Sequence, residues 1–225
     1  MNTIPRIIHQ THRLPSDQLG DPLSSLTKMV QHMHPHWEYR FYLDNDCLNY
    51  IEDHYPDALE VYQSIRIPVQ RADLVRLIFV YCEGGFYLDV DMEMQKSLDD
   101  LLEHDCIFAE EVTLSENEAS ELGHQNCLRI ANYMFGAKPG DEFIKSLIEE
   151  ILERGSQIEI NRFDDVLNST GPGMVTDCYH AYPGKDQVTI IFNENNICQK
   201  CQTNRCCFGD YARHLHMGSW QNALD

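Results

Sequence analysis

Apolar residues recur every three or four positions in four segments of the chain, which predicts four helices. The first follows Asp21-Pro22, a capping residue and the residue favoured at the first helical position, and it stops before Pro35. Asp44 caps a second, short helix. The third and fourth helices are predicted from Ala72 to Glu83 and from Glu142 to Arg154.

Short apolar or alternating segments between these helices predict buried strands. They comprise residues 6–9, 37–41, 86–92 and 188–192. Helices that alternate with buried strands are typical of an α/β fold. With no internal repeat and no linker in 225 residues, we expect one domain over residues 1–225, with Ser115 to Glu121 as an exposed acidic loop.

The charge of the chain narrows the classes of partner. Its formal net charge is −19, from 17 Lys and Arg against 36 Asp and Glu. Such an acidic surface repels phosphate backbones, so nucleic acid is not an expected partner. A substrate that itself carries phosphates would need positive charge supplied locally, and a bound metal ion supplies it economically.

No segment has the composition of a membrane span or a secretion signal. The longest apolar run, Leu77 to Cys82, is far shorter than a bilayer requires. The start, Met1 to Arg6, lacks a cationic residue followed by an apolar stretch. Most of the nine cysteines stand singly among apolar residues, as reduced core cysteines do, so we expect a soluble protein of a reducing compartment such as the cytoplasm.

Four further thiols cluster late in the chain, at Cys198, Cys201, Cys206 and Cys207. Their spacing is compatible with a small Zn²⁺ site. It is equally compatible with one or two disulfides, or with free thiols in a loop. We interpret residues 198–207 as a Cys-rich local insertion.

Two aspartates stand near the end of the predicted strand 86–92. Alternation along a strand puts Tyr87, Asp89 and Asp91 on one face and leaves the apolar residues between them for the core. Two adjacent carboxylates repel each other unless a cation lies between them. Oxygen ligands suit Mg²⁺ or Mn²⁺, and such an ion can stabilise a diphosphate leaving group. We therefore predict a metal site at this strand end, where the ligands of open α/β sheets collect.

The pair alone is weak evidence, because Asp-x-Asp arises by chance in a chain this acidic. Asp44-Asn45-Asp46 is a second such pair, and a helix cap explains it. The context adds weight, since Gly84-Gly85 and a helix precede the strand. On that helix Asp73 and Arg76 are three positions apart and share a face. Their spacing is compatible with two roles. Both residues could belong to the metal site, or they could form an ion pair on the solvated surface.

The residues around this pair resemble a known family. Arg71 to Arg76 and Gly84 to Asp91 are similar to the DXD sugar-binding region of glycosyltransferase family 32, and more distantly to the same run in the clostridial glucosylating toxins. The resemblance extends along most of the chain, in the family's order, through residues 4–11, 37–46, 132–140, 170–173 and 214–220. Several motifs in order are more specific than any one of them.

The resemblance implies a GT-A fold, which is a Rossmann-like mixed sheet flanked by helices, with a nucleotide-sugar donor held beside a metal. By position, Asp73 and Arg76 would contact the donor's sugar and diphosphate, and Asp91 would ligate the metal. Asp89 would hold the ribose and the sugar and share in the metal site. The other donor-binding positions are Gln10, Thr11, Tyr87 and Trp220, and the acceptor side has two further candidate catalytic residues, Glu110 and Asn132.

Two departures from the family pattern concern aromatic and imidazole side chains. His12 stands where the family usually has Trp. The family's two adjacent histidines correspond to His214 and His216, which Leu215 separates. Residues two apart on a strand point the same way, so either histidine could be the third protein ligand of the metal. An imidazole ligand would favour Mn²⁺ over Mg²⁺.

These features predict a metal-dependent glycosyltransferase that moves a hexose from a UDP- or GDP-sugar to a glycan or other hydroxyl acceptor. The resemblance implies that the anomeric configuration is retained. Its cofactor would be Mn²⁺ or Mg²⁺. A metal-dependent phosphohydrolase or nucleotidyltransferase would use the same carboxylates. A third alternative is a Ca²⁺-binding or lectin-like carbohydrate-binding module, which would have no use for a diphosphate clamp on the preceding helix.

Overall fold

The computed structural model describes residues 3–154, 163–193 and 206–217. In these ranges the strands are β1 Ile7–Thr11, β2 Glu38–Tyr42, β3 Gly85–Leu88, β4 Met92–Met94, β5 Cys106–Thr113, β6 Leu128–Ile130, β7 Met134–Ala137, β8 Val188–Ile191, β9 Cys207–Phe208 and β10 Ala212–His214. The helices are α1 Leu23–Met33, α2 Asp44–His54, α3 Leu59–Ser64, α4 Pro68–Glu83, α5 Glu116–Glu121, α6 Glu142–Arg154, α7 Phe163–Ser169 and α8 Pro172–Ala181.

The main sheet draws its strands from both halves of the chain. Its seven strands follow the order β2-β1-β3-β7-β5-β6, with β8 also paired to β5. β1 runs parallel to β2 and β3, and β8 runs parallel to β5. β7 runs antiparallel to both of its neighbours, β3 and β5. The result is a mixed sheet flanked by helices, which confirms the predicted α/β fold class, and the carboxyl ends of β1 and β3 lie at one edge.

A second sheet of three strands, β4-β10-β9, begins where the chain leaves β3. β10 is antiparallel to β4, with His214 opposite Met92 and Ala212 opposite Met94. β9 pairs with the other side of β10. The residues that directly follow Asp91 are therefore held beside residues far along the chain.

Apolar side chains fill both faces of the main sheet. On one face Phe108 packs with residues of α4 and α6, among them Phe79 and Phe143. On the other face Phe86 packs with Trp37 and with residues of the small sheet. Helix α4 is buried on nearly every side over residues 73–80, because it lies between the sheet and other helices. Its polar residues are consequently buried together with its apolar ones.

Two glycines make the connection from α4 to β3 possible. Gly84 and Gly85 have φ angles of 70° and 94°, in the left-handed region that other residues rarely adopt. A Cβ atom on Gly85 would lie 2.5 Å from the carbonyl oxygen of Ile7, on the neighbouring β1. Glycine therefore lets β3 start directly beside β1.

Some of the element boundaries predicted from the sequence match those in the structure, and others do not. The helix predicted from Glu142 to Arg154 is confirmed at both ends. The predicted helix start at Asp21-Pro22 is wrong by one position, since α1 begins at Leu23 with Pro22 as its cap. The predicted single strand 86–92 is also wrong, because β3 ends at Leu88 and β4 starts at Met92.

The predicted loop from Ser115 to Glu121 is a short helix, α5. The Ser115 side chain accepts a hydrogen bond from the Glu118 backbone N–H, and the Glu118 carboxylate accepts one from the Ser115 N–H. This reciprocal capping pair satisfies two backbone donors that a loop would leave to water. The loop prediction was wrong because it relied on polarity and passed over a capping signal.

Among the described residues, no helix is both long enough and apolar enough to cross a membrane.

Candidate active site

Asp89 and Asp91 lie in the turn that connects the main sheet to the small sheet. The Asp89 backbone N–H donates to the carbonyl oxygen of Tyr133 at 2.8 Å, and the Met92 N–H donates to the Asp89 carbonyl at 3.2 Å. The prediction that strand alternation puts the two carboxylates on one face is therefore wrong in its reason. The turn, and not a strand, brings their side chains together.

His214 completes a group of three possible metal ligands. One ligand atom each of Asp89, Asp91 and His214 lies within 4.8 Å of the other two. The His214 Nε2 atom is 3.2 Å from Oδ1 of Asp91. The other carboxylate oxygen of Asp91 accepts a hydrogen bond from the Met217 N–H at 2.9 Å, and the Asp91 carbonyl accepts one from the Leu215 N–H. The segment that follows β10 is thus fixed directly onto Asp91.

His216 does not follow the alternation that the sequence suggested. β10 ends at His214, and His216 has a φ angle of 50°, so the backbone between them is not a continuous strand. The His216 ring nevertheless lies close to that of His214, with centroids 4.3 Å apart. His214 belongs to the three-residue group described above, whereas His216 packs against it. The role of either histidine as a metal ligand stays a prediction.

Asp73 and Arg76 form a buried ion pair behind the turn. Their side chains are separated by 3.2 Å, between Arg76 Nη2 and Asp73 Oδ1, and they are only 4% and 5% exposed. Arg76 Nη1 lies 3.5 Å from Oδ1 of Asp89 and donates to the Asn132 carbonyl at 2.9 Å. Burial of this extent excludes the solvated surface pair that the spacing also allowed. Arg76 instead links helix α4 to the turn that holds the paired aspartates.

The Asp73 carboxylate is held by two further side chains. Thr170 Oγ1 donates to Oδ2 at 2.7 Å, and Asn132 Nδ2 donates to Oδ1 at 3.0 Å. Burial raises the pKa of Asp73 to about 6, although the charge of Arg76 and these hydrogen bonds lower it. Thr170 was not predicted as a site residue. Its place at the start of the 170–173 motif was the available signal.

The charges of the site do not cancel among themselves. Three carboxylates, those of Asp73, Asp89 and Asp91, face one guanidinium and one imidazole. Burial raises the pKa of Asp89, against the effect of Arg76. Burial would also raise the pKa of Asp91, but the hydrogen bond with His214, the charge of His214 and the Met217 N–H together outweigh burial, so the pKa is lowered. Even with a protonated imidazole, the group carries excess negative charge that a divalent cation would neutralise.

Two further predicted donor-binding residues, Gln10 and Tyr87, contact the base of this turn. The buried Gln10 donates from Nε2 to the Asp89 carbonyl at 3.2 Å and accepts from the Tyr39 hydroxyl at 2.7 Å. The Tyr87 hydroxyl donates to Oδ1 of Asp89 at 2.8 Å. Thr11 lies at the end of β1, but its hydroxyl donates to the Tyr42 carbonyl at 3.0 Å, beside β2. Trp220 lies outside the described residues.

The two residues predicted on the acceptor side are placed differently. Asn132 contacts both Asp73 and Arg76, as described above, so the structure brings it into the site. Glu110 lies on β5, opposite Ile130. Its neighbour Glu111 is the β5 carboxylate whose charge acts on His214. Burial raises the pKa of Glu111, against the charge of Arg129 and that of His214.

The cysteine cluster is only partly described. Cys198 and Cys201 lie outside the described residues, so the zinc and disulfide alternatives stay predictions. Cys207 is buried on β9. Among the cysteines predicted to be single and reduced, Cys47, Cys82 and Cys127 form no disulfide.

The candidate ligand atoms around the turn suit a hard divalent cation. Two carboxylates and one imidazole converge from the turn and from β10. Carboxylate oxygens are the ligands that Mg²⁺ and Mn²⁺ prefer, and an imidazole nitrogen shifts the preference towards Mn²⁺. Asp89, Asp91 and His214 are therefore the residues that would hold such an ion.

Comparisons with known proteins cover the segment that contains Asp89 and Asp91. Residues 20–108 match the family model described as the glycosyltransferase sugar-binding region containing a DXD motif. Inositol phosphoceramide mannosyltransferase 3 of Schizosaccharomyces pombe is 35% identical over 101 residues, which are 45% of this chain and 28% of the relative. A mannosyl phosphorylinositol ceramide synthase of Saccharomyces cerevisiae is 24% identical over 179 residues, which are 80% of this chain and 42% of the relative.

Solved structures show the same fold. The PaToxG glycosyltransferase superposes with a TM-score of 0.58 at 17% identity, over 81% of this chain and 71% of that chain. The matched region is thus similar to the DXD sugar-binding region of glycosyltransferases, and the chain shares the fold of the PaToxG glycosyltransferase. Because the chain spans less than half the length of each of the two yeast relatives, their names do not assign its donor or its acceptor.

Proposed function

We propose that the protein is a divalent-metal-dependent, retaining glycosyltransferase. It would move a hexose from a nucleotide-diphospho-sugar to a hydroxyl group of a glycan or another acceptor. The observation that carries the proposal is the convergence of Asp89, Asp91 and His214, whose ligand atoms lie within 4.8 Å of one another beside the buried Arg76. The matched sugar-binding region supports it, because that region contains this turn.

The metal would be Mn²⁺ or Mg²⁺, held by the two aspartates and His214. When bound, it would supply positive charge to the diphosphate as that group leaves. The need for it follows from the charges of the site. A diphosphate would be repelled by a cluster in which carboxylates outnumber the single guanidinium.

The protein's own side chains would act mainly by positioning. Arg76 is fixed by contacts to Asp73, Asp89 and the Asn132 carbonyl, so its charge needs no reorganisation when a donor binds. Asp73 is oriented by Thr170 and Asn132, and we propose that it accepts hydrogen bonds from hydroxyls of the donor sugar. Catalysis would then rest on the orientation of donor and acceptor and on charge stabilisation.

Several nucleotide-sugars are candidate donors. The yeast relatives are named as enzymes of mannosyl transfer, so a mannosyl nucleotide belongs in any donor panel. UDP-glucose and UDP-galactose belong there as well, because the resemblance to the toxin-like DXD segment favours UDP. We expect Asn132 to lie on the acceptor side, with Glu110 and Glu111 as the nearby carboxylates of β5.

A nucleotide-release assay over UDP- and GDP-sugars with Mn²⁺ tests the proposal. We expect release with one donor, loss of release on chelation, and loss in Asp91→Asn. Asp44→Asn is the matched control, because Asp44 belongs to an Asp-x-Asp pair at the exposed start of α2 and should leave the rate unchanged. Absence of release with every donor, from folded protein that binds Mn²⁺, would contradict the proposal.

The same panel separates the alternatives. Release of a sugar 1-phosphate, with the nucleoside monophosphate as the other product, would indicate cleavage within the diphosphate by a phosphohydrolase or a nucleotidyltransferase. Carbohydrate binding without nucleotide affinity would indicate a binding module.

A further inference from the structure

Tyr133 lies between the two halves of the candidate metal site. It is 4% exposed and stands between β6 and β7, next to the point where the main sheet meets the small sheet. Its carbonyl oxygen accepts the backbone N–H of Asp89 at 2.8 Å. This bond continues the β3–β7 ladder one step beyond the pair Leu88 and Met134. The backbone of Tyr133 therefore fixes the start of the turn that carries the aspartates.

The side chain of Tyr133 contacts the other half of the site. Its ring stacks on the imidazole of His214, with centroids 4.6 Å apart and planes inclined by 29°. Its hydroxyl donates to the carbonyl oxygen of Cys207, on β9, at 3.2 Å. The ring is thus held at both ends, by its own backbone at one end and by the small sheet at the other.

We propose that Tyr133 is a positioning residue that holds the His214 imidazole in the plane in which Nε2 faces Asp91. The inference rests on the proposed function, since it assigns a role towards the proposed metal. The outer torsion of a histidine is broad, so packing must select the ring orientation. A ring rotated away from Tyr133 would carry Nε2 out of its 3.2 Å approach to Asp91. His214 stands at the last position of a three-residue strand, so the backbone alone gives little restraint.

Phe135 provides a matched control for this role. It lies two positions further along, on β7, and is fully buried. Its ring stacks on Phe108, with centroids 5.0 Å apart, in the core on the helix α4 side. Tyr133→Leu and Phe135→Leu each remove one buried aromatic ring, at positions two residues apart in the chain. Only the change at Tyr133 removes a contact with His214.

The test measures Mn²⁺ affinity in the absence of any donor, by calorimetry or by the electron spin resonance of free Mn²⁺. Loss of groups that orient a metal ligand commonly weakens binding by about 10- to 100-fold, so we expect Tyr133→Leu to weaken Mn²⁺ binding at least about tenfold. Tyr133→Phe keeps the ring and should retain most of the affinity. Phe135→Leu should lose stability to urea without losing Mn²⁺ affinity.

A spectroscopic readout reports the ligand itself. Spin-echo modulation from an imidazole nitrogen should be present in the Mn²⁺ complex of the wild type and absent in His214→Ala. In Tyr133→Leu the modulation should be weaker. If this variant does not fold, as judged by circular dichroism, Tyr133→Met, whose unbranched side chain adapts better to an irregular space, is measured against the same criteria.

Two results would overturn the inference. The first would be a folded Tyr133→Leu variant that binds Mn²⁺ as tightly as the wild type does. The second would be a loss of Mn²⁺ affinity in Phe135→Leu as large as that in Tyr133→Leu, because it would show a general packing effect. Failure of the wild type to bind Mn²⁺ would instead count against the proposed function, so the two failures are distinguishable.

Discussion

His9 is a buried histidine whose environment makes folding depend on pH. It lies on β1, fully shielded from solvent, and its ring stacks on Phe79 of α4 and on Tyr42 of β2. Nε2 lies 2.9 Å from the carbonyl oxygen of Gly84, and this carbonyl can only accept, so Nε2 carries the proton of the neutral ring. Burial lowers the pKa of His9 to about 4. The residue thus secures the turn from which β3 starts.

The sign of the effect follows from proton binding in the two states. The unfolded ring binds a proton below pH of about 6.5, whereas the folded ring stays neutral until about 4. The stabilisation from His9 is therefore complete above about pH 6.5 and is lost as the pH falls towards 4. With these two pKa values, linkage gives a loss of about 2 kcal/mol between pH 7 and pH 5, and about 3 kcal/mol in full.

Urea unfolding of the wild type and of His9→Gln at pH 7 and pH 5 measures this loss. Glutamine does not titrate, and its amide can still donate to the Gly84 carbonyl, so the variant lacks the His9 contribution to the pH dependence. The wild type should lose about 2 kcal/mol more than the variant on acidification. His36→Gln, at an exposed histidine, should behave as the wild type does. Equal losses in the wild type and in His9→Gln would refute the reasoning.

Three further predictions concern the site and its support. Asp91→Asn should lower turnover by more than about a hundredfold while circular dichroism shows a folded protein, because an amide is a weak ligand for a hard cation. Arg76→Ala should destabilise the fold by about 3–5 kcal/mol in urea, because the buried Asp73 and the partly exposed Asp89 would both lose their positive partner. Arg76→Lys should recover part of that stability, while donor affinity, measured by calorimetry, remains reduced. Gly136→Ala should cost about 1–3 kcal/mol, because its Cβ would lie 2.6 Å from the Phe86 ring, whereas Gly20→Ala meets open space and should cost little.

Local patterns were sufficient for elements whose stability is local. The apolar spacing within Glu142 to Arg154 identifies helix α6 to the residue, because a helix forms its hydrogen bonds within its own segment. The reciprocal cap of Ser115 was equally local, and it could have been predicted. A strand end is different, because it depends on where the partner strand stops. The last pair of β3 and β7 joins Leu88 to Met134, and no local signal marks that point.

The candidate site shows the same division. Flanking glycines and the order of several motifs were enough to single out Asp89 and Asp91 from the other Asp-x-Asp pair of the chain. The burial of Asp73 and Arg76 was not predictable from their helix alone, because it depends on the sheet and the helices packed around α4. The end of β10 beside β4 decided which histidine lies with Asp89 and Asp91, namely His214 and not His216. Residue types and their order determined which groups are present, whereas pairing between distant strands decided which of them meet, because those contacts form only when the sheets assemble.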